Sequence, residues 1–175
     1  MPLNISHFFF ISNILNIPIE LVENMQLTTF SDYSMRVMMY LGLRQGKLAT
    51  ISEIALAYHI SENHLTKVVH HLAKLGYVET VRGKGGGLRL VLLPEAVNIG
   101  KMLRDSEGSS SLLPCLIKED ECCIQRSCQL IGILREAQDA LFAVLDKYTL
   151  ADLLFKDTPL ARILLHPKSM RVTPT

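Results

Sequence analysis

The chain has 175 residues, of which 49% are hydrophobic and 20% charged, with a formal net charge of +1. This composition predicts a globular protein of one or two small domains and excludes an intrinsically disordered chain. Although the net charge indicates no partner by itself, residues 25–94 carry eight Lys and Arg against four Asp and Glu, a balance of +4. We therefore expect a polyanionic partner to bind the first half of the chain.

The first 24 residues differ in character from the rest. Residues 8–19 are largely apolar but are interrupted by two Asn and one Pro, and they are too few to span a membrane. They also lack the basic region and small-residue cleavage site of a signal peptide. We interpret residues 1–24 as an extension, or a mis-called start, before a natural start at Met25. We expect a cytoplasmic protein that does not contact membranes.

Residues 25–46 are predicted to form the first helix of the basic part of the chain. Thr29 and Asp32 match a capping box at its start, and apolar residues follow at helical spacing until Gly46. Asp32 would also stabilise the helix dipole, because an acidic side chain in the first turn faces free backbone N–H groups.

Two further helices are predicted around a tight turn. Thr50 and Glu53 form a capping box for the second helix, and after a turn at residues 58–60, Ser61 caps a third helix that ends at Gly76. Two short helices joined in this way are the helix-turn-helix pattern. The outer face of the third helix is polar, which indicates either an ordinary solvated face or a DNA-reading surface. Its residues are Asn63, His64, Thr66, Lys67, His70 and Lys74.

A basic, glycine-rich hairpin is predicted after the third helix. Residues 77–81 and 88–93 have strand character, and the run from Arg82 to Gly87 contains four glycines, which favour a tight turn. A hairpin in this position is typical of the wing of a winged helix-turn-helix, whose basic tip contacts phosphates or a groove. The Gly-Lys-Ser/Thr motif of a nucleotide loop is missing. We therefore predict a DNA-binding domain over residues 25–94, with contacts from Ser61, Asn63, His64, Thr66, Lys67, Arg82, Lys84, Gly85 and Gly86.

All four cysteines of the chain lie within fourteen positions, from Cys115 to Cys128. The stretch is polar and follows a short helix predicted over residues 98–107, so its sulfurs can converge on one point. Thiolates gathered in this way bind soft metals, as zinc or as an iron–sulfur cluster. Structural disulfides are the ordinary alternative, but the chain shows no secretion signal, and Cys122 and Cys123 are adjacent.

The cysteine spacing favours a cluster over the other metal sites. Cys115, Cys122 and Cys128 are well separated, with Cys123 as a spare thiol, and the paired Cys-x-x-Cys pattern of a zinc knuckle is missing. Three spaced sulfurs suit an iron–sulfur cluster whose fourth ligand comes from elsewhere. Residues 95–128 are therefore predicted to form a short helix and a cysteine-rich cluster-binding loop, with zinc and redox-active free thiols as open alternatives. A small iron–sulfur redox protein is a further alternative, but we expect no enzyme because no cofactor-binding motif is present.

A long amphipathic helix is predicted from Cys128 to about Asp146. Because such a helix needs more apolar partner surface than the chain supplies, we expect a two-fold dimer through residues 129–155. Residues 156–175 are interpreted as a tail. The predicted fold is mainly α with a small β-hairpin wing: a winged helix-turn-helix domain plus a long C-terminal dimerisation helix. The apolar side of that helix carries Leu130, Ile133, Leu134, Ala137, Leu141 and Leu145.

This order of elements resembles the Rrf-type family of winged-helix regulators. The resemblance covers residues 25–155. It is carried by the opening Met-Gln-Leu-Thr-Thr-Phe-Ser-Asp-Tyr, the wing Arg-Gly-Lys-Gly-Gly-Gly-Leu-Arg-Leu, the cysteine spacing and the later Tyr-Thr-Leu-Ala-Asp-Leu. Within the family, the chain is most similar to the NsrR-like repressors that sense nitric oxide. Ile131 stands where members that monitor cluster assembly carry a His.

The resemblance implies a cluster site and a function. Cys115, Cys122 and Cys128 would hold an iron–sulfur cluster, 4Fe–4S in preference to 2Fe–2S, with Cys123 as a substitute for Cys122 and with Asp32 of the partner subunit as fourth ligand. The implied function is a transcriptional repressor that binds double-stranded operator DNA as a homodimer. Nitric oxide would attack the cluster and release the repressor. The alternative is a zinc- or thiol-switched regulator of the same fold.

Overall fold

A computed structural model describes residues 27–108, 122–154 and 159–165, which are mainly helical with one two-stranded sheet. The predicted mainly α fold with a small β-hairpin is therefore confirmed. Residues 1–26, Cys115 and most of the expected tail lie outside the described ranges. The elements in chain order are α1 (Thr29–Leu43), α2 (Ile51–Tyr58), α3 (Glu62–Lys74), β1 (Val78–Val81), β2 (Gly87–Leu90), α4 (Ile99–Glu107), α5 (Gln129–Leu145) and α6 (Pro159–Leu165).

The start of α1 differs from the sequence prediction by one residue. Thr28, not Thr29, is the N-cap, and its side chain accepts a hydrogen bond from the Ser31 backbone N–H at 3.2 Å. The carboxylate of Glu107 accepts from the Thr28 N–H at 2.9 Å and so takes the place of an acidic capping-box residue. The predicted capping box at Thr29 and Asp32 is wrong because a residue of α4 supplies its acidic partner.

The turn between α2 and α3 follows the sequence closely. The capping box of Thr50 and Glu53 is present, with both of its hydrogen bonds. His59 ends α2 in the left-handed region at a φ of 55°, and Gly76 follows α3 at a φ of 80°. Ser61 is the N-cap residue of α3, as predicted, but its side chain makes no capping hydrogen bond.

The hairpin packs on the connection between α1 and α2. Strands β1 and β2 pair antiparallel, with Val78 opposite Leu90. The backbones of Ala49 and Leu88 exchange two hydrogen bonds of 3.0 and 2.7 Å, so they extend the hairpin by one bridge. A side chain at Gly87 would bring its Cβ within 2.7 Å of the Ala49 carbonyl oxygen, which explains the glycine there. The second strand ends at Leu90, before its predicted end.

One apolar core joins the helix-turn-helix to the elements that follow the hairpin. The fully buried side chains come from α1, α2, α3, β1, α4, the 3₁₀ turn Leu150–Leu153 and Val97, which precedes α4. Residues beyond position 94 therefore complete the core of the predicted DNA-binding domain, whose boundaries stay a prediction. The largest fully buried side chains are Met38, Leu41, Ile54, Leu65, Leu72, Met102 and Leu150.

Helix α5 packs on the core only near its C-terminal end, and within the described residues α4 is its principal partner. Arg104 of α4 forms an ion pair of 2.6 Å with Asp146, and its guanidinium carbon lies 4.9 Å from the centre of the Phe142 ring. No residue of α5 itself is buried. The predicted long helix is thus present, whereas its role in a dimer stays a prediction. Across the described ranges, no helix is both long and apolar enough to cross a bilayer.

Helix α4 is also tied to the segment between α3 and the hairpin. The Tyr77 hydroxyl donates to Oδ2 of Asp105 at 2.6 Å, and Nζ of Lys101 lies 2.5 Å from the same oxygen. Burial alone would raise the pKa of Asp105, but these two hydrogen bonds outweigh it, so the pKa lies below its ordinary value of 3.8. Burial and the hydrogen bond to Asp105 raise the pKa of Tyr77 to about 12.

We expect acid to weaken the contribution of Asp105 to stability. Its pKa is lowered in the folded chain, so the ionised carboxylate stabilises the fold above pH 3.8 and this contribution disappears as the pH falls further. The Asp105→Asn variant should be less stable than wild type near neutral pH. The difference in unfolding free energy should be smaller at about pH 3. Urea unfolding at both pH values measures it. A difference that does not depend on pH would contradict the assignment.

We expect Gly100→Ala to loosen the contact between α4 and α5. A Cβ at Gly100 would overlap the Asp146 carboxylate and lie 2.9 Å from its backbone nitrogen. Overpacking of this kind costs about 1–3 kcal/mol of unfolding free energy. Gly132→Ala is the matched control because, among the described residues, nothing beyond its own helix backbone and chain neighbours lies within 4 Å of the added Cβ, and alanine should stabilise the helix there by about 0.5–1 kcal/mol. Equal effects of the two substitutions on urea unfolding would refute the packing described.

Candidate nucleic-acid interface and metal centre

Helix α3 presents the polar face that the sequence predicted for DNA reading. Leu65, Val68 and Leu72 are buried against the core, which orients the opposite side of the helix outward. The α3 side chains predicted to contact DNA are therefore exposed, although the Thr66 hydroxyl is engaged within the helix. The Thr66 hydroxyl already donates to the Glu62 carbonyl at 2.8 Å. The exposed residues of this face are Ser61, Asn63, His64, Thr66, Lys67, His70 and Lys74.

The hairpin tip offers two exposed cations next to bare backbone. Arg82 and Lys84 are exposed and form no ion pair within the described residues, and Gly85 has a φ of 79° that disfavours any other residue. A side chain at Gly86 would overlap the Val81 carbonyl oxygen, so the turn requires a glycine there too. Exposed cations beside accessible amides are suited to phosphate contacts.

Two aromatic residues of α1 contact α3 and help to hold it in place. This role was not predicted from the sequence. Tyr33 lies beside His64 with ring centroids 6.4 Å apart, and Phe30 meets His71 edge-on at 5.1 Å. The sequence signal was only the helical spacing of apolar residues, which places both aromatics on a packed face without naming their partners. The start of α1 therefore touches α3 near its first and last turns.

Asp32 lies in a cleft of about 510 Å³ between the start of α1 and the end of α2. Its carboxylate accepts from Nε of Arg36 at 3.0 Å and lies 2.9 Å from Nη2, a two-point ion pair. The hydrogen bond with Asp32 raises the pKa of Arg36. Both side chains are about 40% exposed, so solvent screens the pair. The cleft is lined by Leu27, Thr29, Asp32, Tyr33, Arg36, Tyr58, His59 and Ile60.

Tyr58 gives the cleft a polar wall. Its hydroxyl oxygen is buried and has no hydrogen-bond partner among the described residues, and its ring lies 5.6 Å from the Arg36 guanidinium carbon. Burial raises the pKa of Tyr58 to about 12, so the hydroxyl keeps its proton and can donate. An unpaired buried hydroxyl beside a cation and a carboxylate suits a polar or charged group entering from outside.

The described cysteines surround a tight turn before α5. Cys122 and Cys128 are half-buried, Cys123 is exposed, and all three are free thiols. The Cys122 carbonyl accepts from the Gln125 N–H at 3.0 Å, and the Gln125 carbonyl accepts from the Cys128 N–H at 3.3 Å. Cys128 is the N-cap residue of α5. Cys115 lies outside the described residues.

The free thiols are suited to a soft metal, but they do not distinguish zinc from an iron–sulfur cluster. Free thiols, two of them half-buried within one turn, suit zinc or an iron–sulfur cluster equally well. Within the part of the chain that the structure describes, no group of three or more His, Cys, Asp or Glu side chains could hold a metal ion. The predicted ligand set therefore stays a prediction, as does the predicted set of DNA contacts.

Comparison with known proteins places this architecture in a family. A profile of the Rrf2 family, described as an iron-dependent transcriptional regulator, matches residues 27–156. The HTH-type transcriptional regulator NsrR of Bacillus subtilis is 45% identical over 142 residues, which cover 80% of this chain and 97% of that protein. NsrR of Geobacillus kaustophilus is 46% identical over 132 residues, covering 74% of this chain and 90% of that protein.

Solved structures agree with the sequence matches. CymR, the global cysteine regulator of B. subtilis, superposes with a TM-score of 0.57 at 31% identity, covering 74% of this chain and 96% of that chain. IscR of T. potens superposes with a TM-score of 0.59 at 25% identity, covering 74% of this chain and 86% of that chain. The resemblance inferred from the sequence is confirmed, and the chain belongs to the Rrf2 family of transcriptional regulators.

Proposed function

We propose that the protein is a transcriptional repressor that binds operator DNA as a homodimer, holds an iron–sulfur cluster and releases the DNA in response to nitric oxide. The observation that carries the DNA-binding part is the geometry of α3, which buries one face and exposes a polar face directly before a basic hairpin. The names of the NsrR relatives and the iron dependence in the family description support the regulatory part.

Helix α3 of each subunit would enter a major groove. Asn63 and His64 lie in its first turn, where a recognition helix usually reaches base edges. Arg82 and Lys84 at the hairpin tip would contact phosphates, which adds affinity that depends on salt but not on sequence. Two α3 helices related by a two-fold axis would read half-sites about one helical turn apart.

The exposed side of α5 supports a homodimer. Leu130, Ile133, Leu141 and Val144 are each at least half exposed, and their spacings of 3, 8 and 3 residues put them on one side of the helix. An exposed apolar stripe of this kind is typical of a surface covered by another subunit. A second copy of the chain is the simplest cover, since a two-fold axis brings the same stripe against itself.

Cys115, Cys122 and Cys128 would bind the cluster. Cys122 and Cys128 share partial burial, whereas Cys123 is exposed, so Cys122 is the better candidate for the middle ligand. When bound, the cluster would supply iron with which nitric oxide reacts.

Asp32 of the partner subunit would complete the site. Its ion pair with Arg36 is exposed and joins residues four positions apart, an arrangement worth only about 0.3–0.5 kcal/mol. Asp32 can therefore leave Arg36 at small cost. A shift of Asp32 would move its neighbour Tyr33, which contacts His64 on α3. Weakening operator binding a hundred- to a thousandfold requires about 3–4 kcal/mol.

We expect the cysteine variants to separate ligands from the spare thiol. Protein purified without oxygen should show the visible absorption of an iron–sulfur cluster, which nitric oxide should bleach. Cys115→Ala, Cys122→Ala and Cys128→Ala should each remove this absorption, whereas the matched control Cys123→Ala should keep it. A colourless wild type that binds zinc would refute the cluster and leave the DNA-binding proposal standing.

The same spectra test the fourth ligand. Asp32→Ala should change the absorption or its response to nitric oxide, since a ligand is lost. Arg36→Ala breaks the same ion pair but leaves the carboxylate in place, so it should keep the wild-type spectrum. If Asp32→Ala matches wild type in both respects, Asp32 does not bind the cluster.

We expect Asn63 and Lys84 to contribute to DNA binding in different ways. Asn63→Ala should cost about 1–3 kcal/mol on the preferred operator and relax the sequence preference there. Lys84→Ala should weaken binding to all duplexes alike and reduce the salt slope of the binding constant by about 1. Titrations of operator and scrambled duplexes at several salt concentrations measure both effects. The assignment fails if Asn63→Ala weakens both duplexes equally.

A further inference from the structure

Helix α4 separates the DNA-reading elements from α5 and contacts both through adjacent residues. On one side, Asp105 accepts from the Tyr77 hydroxyl at 2.6 Å, and its backbone oxygen lies 3.4 Å from Nε2 of His71. Tyr77 is buried and lies between the end of α3 and the start of β1. Asp105 therefore contacts both the last turn of α3 and the segment that joins α3 to the hairpin.

On the other side, Arg104 binds the C-terminal end of α5. Its Nη2 lies 2.6 Å from Oδ1 of Asp146, and its guanidinium group faces the Phe142 ring. The Asn98 side chain adds a hydrogen bond of 2.7 Å to the Asp146 carbonyl. Successive helix residues point about 100° apart, so Arg104 and Asp105 reach different neighbours from one rigid helix.

We propose that Arg104 and Asp105 together determine which operator spacing the protein accepts. The inference rests on the proposed binding of operator DNA by a homodimer. If the dimer forms through α5, the angle between α5 and α3 sets the distance between the two α3 helices. Rotating α3 and the hairpin relative to α5 would break either the contact of Arg104 with Asp146 or that of Asp105 with Tyr77.

The small energy of the contact between Arg104 and Asp146 supports a role in orientation rather than stability for this pair. The Arg104 and Asp146 side chains are 43% and 39% exposed, and an exposed ion pair contributes at most about 1 kcal/mol. A change of one base pair in spacing moves one half-site by roughly 3.4 Å and rotates it by roughly 35°. Two short polar contacts, made by adjacent residues of one stiff helix to neighbours on different sides, are suited to resist a rotation of this size.

The test measures spacing discrimination as a ratio, so that overall affinity cancels. Selection of binding sites from a library of random DNA duplexes with the cluster-loaded wild type gives the half-sites and their spacing. Duplexes with that spacing, and with one or two base pairs added or removed, are then titrated. For wild type we expect each change to weaken binding on the order of tenfold or more, comparable with one mismatched base pair.

The Arg104→Met and Tyr77→Phe variants should discriminate much less between spacings. Their affinities for the preferred and the altered spacing should differ by about twofold or less. Lys147→Met is the matched control. It removes one positive charge beside Asp146, but Lys147 is exposed and has no ion pair within the described residues, so wild-type discrimination should remain. The exchanged pair Arg104→Asp with Asp146→Arg should recover part of the discrimination, which a purely structural role would not predict.

Three outcomes would overturn the inference. One is wild-type discrimination in Arg104→Met and in Tyr77→Phe; if Arg104→Met fails to fold, Tyr77→Phe alone decides. Another is an equal loss in Lys147→Met, which would show an effect of charge alone. A wild type that enriches no sequence from the library would overturn the proposed operator binding and this inference with it. This failure shows in the wild type itself, whereas the other two outcomes show only in the variants.

Discussion

The contact between the start of α1 and the last turn of α4 is the constraint on which the rest of the structure depends. Ser31 and Ser106 are buried, and their hydroxyl oxygens lie 3.2 Å apart. Separating the helices would leave the Ser31 hydroxyl hydrogen, which donates to Ser106, without its buried acceptor, and an unpaired buried group of this kind costs about 1–3 kcal/mol. Glu107 adds hydrogen bonds to the backbone and side chain of Thr28. These contacts hold the start of α1 against the last turn of α4.

With its start held in this way, α1 brings the candidate metal chemistry close to the candidate DNA interface. Phe30 packs against His71 and Tyr33 lies beside His64, so α1 contacts α3 near both of its ends. Asp32, between these two aromatics, lines the cleft. The expected iron ligand Asp32 is thus the sequence neighbour of Tyr33, whose ring lies 6.4 Å from that of His64, an expected base-reading side chain. Signalling within a subunit would then need only a small displacement of α1.

Sequence reasoning succeeded where a residue and its partner lie within one helical turn. The capping box of Thr50 and Glu53 and the C-terminal glycine of α3 are confirmed because their hydrogen bonds are local. It failed at the start of α1, where Glu107, 79 positions away, makes Thr28 the cap in place of Thr29. It also placed the end of the second strand too late, because the chain turns toward the 3₁₀ turn Pro94–Ala96.

The sequence by itself determined the order of elements, the polar face of α3, the basic glycine-rich wing and the grouping of four thiols. These features depend on periodicity, on glycine positions and on spacing, all of which are local properties of the chain. Only the tertiary structure decided which side chains meet. Arg104 and Asp146 are 42 positions apart, and Tyr77 and Asp105 are 28 apart. Such pairs depend on how whole helices pack, and no local pattern encodes that packing.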